Sequence, residues 1–217
     1  MNTPIGQCLR SNTRFQVAFS ISALLIILID LWLVRQAAPI WARIMLAAVV
    51  LVVYLVPGSI DRTSLGLHFT PIQSITYWIR MIILIGVIML IPIMVYLLLA
   101  NALGWKLSIP QLPPDQAGLF FLYGCVLAPF LEEVIYRLVL CFPATSIICS
   151  LGAILFSGAV FAGVHFLYGT PGPDNFFAGY VLAWVYLKSG SIIVSMIIHS
   201  LGNFVILIFY LGAWYVT

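Results

Sequence analysis

The sequence predicts an all-α protein, a polytopic transmembrane helical bundle of about seven spans, or eight. Three observations carry that expectation. First, 64% of the 217 residues are hydrophobic, only 7% are charged, and mean hydropathy is +1.18; soluble domains average about 25% charged residues. Second, runs such as 81–100 are apolar on every face. That suits a membrane helix of roughly 20 residues and excludes a β-barrel, whose ~10-residue segments alternate apolar and polar positions. Third, Pro39, Pro57, Pro110, Pro113, Pro114, Pro143, Pro171 and Pro173 fall at or between the apolar runs, as chain breakers should.

Taken in order, the expected spans are 15–34, 39–57, 77–100, 117–141, 147–167, 175–188 and 191–214. A polar tail with Arg10 and Arg14 precedes the first, and no small-x-small cleavage site follows it, so it reads as a retained span. The stretch 58–76, with Asp61, Arg62 and His68, is the most polar internal segment and reads as a loop leading into an interfacial helix. Lysine and arginine placement favours a cytoplasmic N-terminus. Arg10, Arg14, Arg62, Arg80, Arg137 and Lys188 then lie inside, and Arg35, Arg43 and Lys106 outside. The compact chain points to a prokaryotic plasma membrane.

The net charge of +3 is spread along the loops without a basic patch, which gives nucleic-acid binding no support. Cys8, Cys125, Cys141 and Cys149 show no CxxC spacing and read as reduced packing residues.

The chain has only six acidic side chains, yet Glu132 and Glu133 are adjacent, with Arg137 following. An ionised group in hydrocarbon costs about 2.5–3.5 kcal/mol on insertion scales, so it is expected to face a protein interior or a wet cavity. Glu133 and Arg137 are four apart and share a face; Glu132 projects about 100° away. Pro129 cannot donate to the Cys125 carbonyl and predicts a kink just before the acids. Further along, His165 ends a span rich in small residues, where Gly158 with Ala162 and Ala159 with Gly163 permit close helix approach. In the last span His199 and Asn203 share one face, four residues apart. Asp30, near the end of the first span, has no comparable companions.

Each cluster alone also reads as an interfacial feature or as interhelical glue. Together they gather in the last four spans, and a carboxylate, two imidazoles and an amide suit hydrolysis. A carboxylate with a histidine can deprotonate water; a second histidine and an amide can hold an oxyanion. The same ionisable residues would also serve a proton-coupled transporter, although no inverted repeat or pair of broken helices is visible. A non-catalytic scaffold or immunity protein is the third reading.

The ordered set Glu132-Glu133-x-x-x-Arg137, Phe161-x-x-x-His165 and His199-x-x-x-Asn203 resembles the CPBP family of intramembrane proteases. That family, also called Abi, comprises CAAX prenyl proteases and bacteriocin-processing proteins. The stretch from Phe177-x-Gly179 to Lys188-Ser-Gly190-Ser191 is similar to the family's linker before its last histidine. The resemblance covers roughly residues 115–210, with 1–114 as N-terminal membrane spans and 115–217 as a catalytic core within one membrane unit. It implies an endopeptidase in which Glu132 and His165 activate water, His199 and Asn203 hold the oxyanion, and Glu133 and Arg137 support the site. The implied substrate is a peptide or protein, prenylated or otherwise membrane-associated, in contact with the lipid bilayer and reached from the cytoplasmic side through a lateral or conical opening. Zinc held by Glu132, His165 and His199 is the less favoured alternative to a metal-free site, since HExxH is absent. One strain remains: simple antiparallel spans put His165 on the order of 15 Å from the level of Glu132 and His199.

Overall fold

The computed structural model describes residues 5, 13–55, 62–67, 70–105, 110–167, 169 and 172–216. Expectations placed on Cys8, Arg10, Pro57, Asp61, His68, Lys106 and Pro171 lie outside the described residues. Among those described, seven helices form: α1 (Thr13–Arg35), α2 (Ile40–Leu55), α3 (Ile75–Ala102), α4 (117–147), α5 (Ser150–Leu167), α6 (Pro173–Ser189) and α7 (Ile192–Val216). Four are long and apolar enough to cross a membrane: Gln16–Arg35, Ile75–Ala102, Ser150–Leu167 and Ile192–Tyr215. Of the rest, α2 has 16 residues and α6 has 17, and α4 is not a regular α-helix throughout.

Successive helices run in opposite directions, because their ends gather at two poles. At one pole Gln16 Nε2 donates to the Ser146 carbonyl (3.2 Å), Gln73 Nε2 to that of Lys188 (2.8 Å) and Tyr186 Oη to that of Leu65 (2.8 Å). Backbone bonds from Ile72 to Ser189 and from Ile192 to Gly66, both 2.9 Å, close the same cap. Gly66 and Gly190 both take left-handed φ values there, 70° and 67°, a region open to glycine without a Cβ penalty. The described parts of 58–76 form turns and bends up to the Ser74 N-cap of α3; the expected interfacial helix is not among them. At the other pole Leu112 N donates to the Tyr210 carbonyl.

The centre of the bundle is α4. Every residue from 131 to 145 is buried, against α1 and α2 on one side and α5 and α7 on the other. At the capped pole Phe19, Tyr54 and Phe142 stack edge to face or tilted, with centroids 4.8–6.2 Å apart. The helix runs past Pro143, which the sequence placed at a join. Two π-helical stretches, Phe121–Leu127 and Val134–Cys141, each end two residues before a proline. The wider turn absorbs the missing N–H without ending the helix. Arg137, counted by sequence among the charges on the cytoplasmic side, lies in this core at 0% exposure. Asp30 also gains companions that sequence did not offer. It is buried and accepts from Arg43 Nε (2.7 Å) and Nη2 (3.2 Å) and from Tyr136 Oη (3.2 Å).

Helices α5 and α6 form the closest contact, and only one of the two expected small-residue faces makes it. Gly158 packs under the Tyr180 ring, and a Cβ on Gly179 would stand 2.8 Å from the Gly158 carbonyl and 2.9 Å from Phe161 Cβ. Ala159 and Gly163 are exposed, and a Cβ on Gly163 would meet nothing within 4 Å. Gly179→Ala should therefore destabilise the protein by about 1–3 kcal/mol, the range for overpacking, while Gly163→Ala should not. Unfolding in detergent, followed side by side for the two variants, checks this.

Candidate active site

The site begins with a buried ion pair. Arg137 Nε donates to Glu133 Oε2 at 3.0 Å, the i, i+4 geometry expected from sequence. The pair does not stand alone. Arg137 Nη1 donates to Ser157 Oγ (2.8 Å), which in turn donates to the Tyr136 carbonyl (3.0 Å). Ser195 Oγ lies against Glu133 Oε2 and the Leu182 carbonyl. Phe161 packs beneath, its ring centre 5.5 Å from the guanidinium carbon.

Glu133 also fixes His199. The imidazole Nδ1 lies 3.0 Å from Glu133 Oε1. A carboxylate engaged by a guanidinium can only accept, so Nδ1 carries the hydrogen. The other nitrogen, Nε2, then points at Glu132 Oε2, 3.7 Å away. One imidazole thus spans the two adjacent glutamates. Glu133 is 0% exposed, whereas Glu132 keeps 6%, so of the pair only Glu132 can be reached from outside.

His165 is buried at the end of α5. Its Nδ1 is 2.9 Å from the Phe161 carbonyl, which again assigns the hydrogen to Nδ1 and leaves Nε2 as the proton acceptor. The Phe161 ring lies between the imidazoles, 4.4 Å from that of His165 and 5.9 Å from that of His199. The sum of those distances, about 10 Å, is the largest centre-to-centre separation the two histidines can have. The offset expected from sequence is therefore too large. The reason is the 17-residue length of α6, shorter than a full span, which brings the start of α7 up toward the end of α5.

Asn203 is placed by the irregular helix. In the first π-helical stretch Ala128 N bonds to the Tyr123 carbonyl, five residues back. In that register the partner of the Gly124 carbonyl would be position 129, a proline with no N–H. Asn203 Nδ2 donates to it instead, at 2.7 Å. The expectation that Pro129 strands the Cys125 carbonyl is thus shifted by one residue. The second Nδ2 hydrogen remains for another acceptor.

Two cavities reach these residues. One of about 240 Å³ lies between α3, α6 and α7 and is lined by His199 and Asn203 together with Asp174 and Asn175. Another of about 270 Å³ is lined by His165, Tyr96, Phe176 and again Asn175. Both lie toward the start of α6, away from the capped pole with Arg14, Arg62, Arg80 and Lys188. Among the described residues no three His, Cys, Asp or Glu side chains gather around a common metal position. Glu132, His165 and His199 as placed thus do not fit the zinc alternative.

Ser195, Ser157, Asp174 and Asn175 were not singled out by sequence. Ser195 had a legible signal, since Ser195, His199 and Asn203 form an i, i+4, i+8 stripe. Removing Arg137 should leave a buried carboxylate uncompensated and destabilise the fold by about 3–5 kcal/mol, whereas exchanging both partners for neutral residues should restore much of it. A double-mutant cycle of Arg137→Met and Glu133→Gln, read by unfolding in detergent, measures both.

Comparison with known proteins adds to this geometry. No curated protein and no solved structure matches the chain. Residues 114–205, which run from the turn before α4 into α7 and hold Glu132, Glu133, Arg137, His165, His199 and Asn203, match the family model described as type II CAAX prenyl endopeptidase Rce1-like. This chain carries an Rce1-like domain of the CPBP/Abi family over residues 114–205.

Proposed function

We propose that the protein is an intramembrane endopeptidase of the glutamate type. The observation that carries this reading is the His199 imidazole, held by Glu133 through Nδ1 with Nε2 facing the accessible carboxylate of Glu132. In the proposed reaction Glu132, assisted by His165 Nε2, takes a proton from water, and the resulting hydroxide attacks the carbonyl carbon of the scissile bond. The carbonyl electron pair moves to oxygen. His199, protonated on both nitrogens, and the second Nδ2 hydrogen of Asn203 then donate to that oxyanion. Collapse breaks the C–N bond, and the proton taken from water passes to the leaving amine. Glu133, Arg137 and Ser195 hold His199 in place and do not touch the substrate.

The substrate in this reading is a peptide or protein with an apolar anchor, a prenylated C-terminus being the class named by the matching family. Its entry is lateral. Core packing of α3 onto α6 and α7 is confined to Trp78 and its neighbours up to Ile85, and beyond that point the apolar cavity separates the helices. All seven helices cross the bilayer of a plasma membrane in this proposal, with the N-terminus in the cytoplasm.

Glu132→Gln should insert and fold normally yet lose about 10²–10⁴-fold in peptide cleavage, the usual contribution of a general base. Purified protein in liposomes, with cleavage read by mass spectrometry, tests this; full activity in the variant would remove Glu132 from the reaction. In the same assay, activity of the wild type should survive exhaustive chelation.

A further inference from the structure

The cavity that holds His199 and Asn203 is almost wholly apolar, with a single exception in charge. Apart from His199, Asp174 is the only ionisable side chain lining it among the described residues. It stands half-buried in the first turn of α6. An acid there complements the helix N-terminus, but that role would be served equally by a carboxylate turned to solvent. The residue before Pro173, Gly172, lies against this carboxylate. Gly172 has an ordinary extended φ of −75°, so no backbone strain calls for glycine. Instead, Asp174 Oδ1 occupies the position that a Cβ on residue 172 would need. The missing side chain makes room for the carboxylate.

Its height relative to the site follows from the helices. Ser195 Oγ bonds to the Leu182 carbonyl, which sets these two residues level. Asp174 lies eight residues before Leu182 and His199 four after Ser195, so Asp174 stands about 6 Å beyond His199 along the bundle axis. That is roughly two residues of an extended peptide.

We propose that Asp174 makes the enzyme prefer substrates carrying lysine or arginine within about two residues of the scissile bond. The proposal rests on the endopeptidase reading and names the substrate class for the same cavity. A cation anchored there meets a fixed negative charge in an apolar wall, whereas an acidic side chain at that position meets repulsion and desolvation.

The test uses full-length protein in liposomes and three membrane-anchored peptides that differ only in lysine, glutamine or glutamate at the flanking positions. Wild type should favour the lysine over the glutamate peptide by about tenfold or more in kcat/KM, as a single charge pair at this range implies, and less so at high salt. Asp174→Asn should bring the ratio toward one and Asp174→Lys should invert it. Gly172→Ala, which displaces the carboxylate while keeping its charge, should reduce it. Binding of the same peptides to the Glu132→Gln protein, read by fluorescence anisotropy, should show the same order without turnover. Cleavage of all three peptides at equal rates, or an undiminished lysine preference in Asp174→Asn, would overturn this inference and leave the endopeptidase reading standing. If wild type cleaves none of the three, the endopeptidase reading fails, and this inference fails with it.

Discussion

The buried pair of Glu133 and Arg137 is the constraint on which the rest of the structure depends. Two charges at 0% exposure are tolerated only where hydrogen bonds compensate lost hydration, and each compensating bond draws in another helix. Ser157 comes from α5, Ser195 and His199 from α7, and the carbonyl that Ser195 shares comes from α6. The pair therefore fixes the mutual positions of four helices. The same bonds fix the tautomer and direction of His199, so fold stability and site geometry rest on one set of contacts.

A second constraint is the irregularity of α4. A regular helix at the rim of a bundle has a lipid face, and two adjacent glutamates about 100° apart could not both turn inward. Here the helix is enclosed on all sides from 131 to 145, so both side chains find protein. The π-helical stretches let this enclosed helix carry Pro129 and Pro143 without breaking. One of the carbonyls they leave over becomes the anchor of Asn203. A backbone defect in one helix is thus what sets the direction of a polar side chain on another.

The asymmetry of the bundle has a simple packing origin. Polar contacts and aromatic stacking concentrate at one pole and around α4, whereas the far half of α3 is mostly apolar, with Leu90, Ile91, Met94 and Leu98 largely exposed. With Met89, Leu90 and Ile93 as its main contribution to the cavity wall, that stretch offers little beyond apolar side chains to draw it against α7 in a lipid setting. The cavity is the space left by a helix that lacks the means to close it.

Much of this was legible in the chain. Composition fixed an all-helical membrane class, because 7% charge leaves no soluble alternative. Periodicity put Glu133 beside Arg137 and His199 in line with Asn203, since both relations are local to one helix. The partners of Asp30 were not legible, because Arg43 and Tyr136 lie on other helices, 13 and 106 residues away. Nor was the height of His165, which depends on the length and placement of α6. Helix-local spacing is written in sequence by the 3.6-residue turn. Which faces meet, and at what level along the axis, is decided only when the helices pack, because that follows from helix lengths and side-chain volumes summed over the whole bundle.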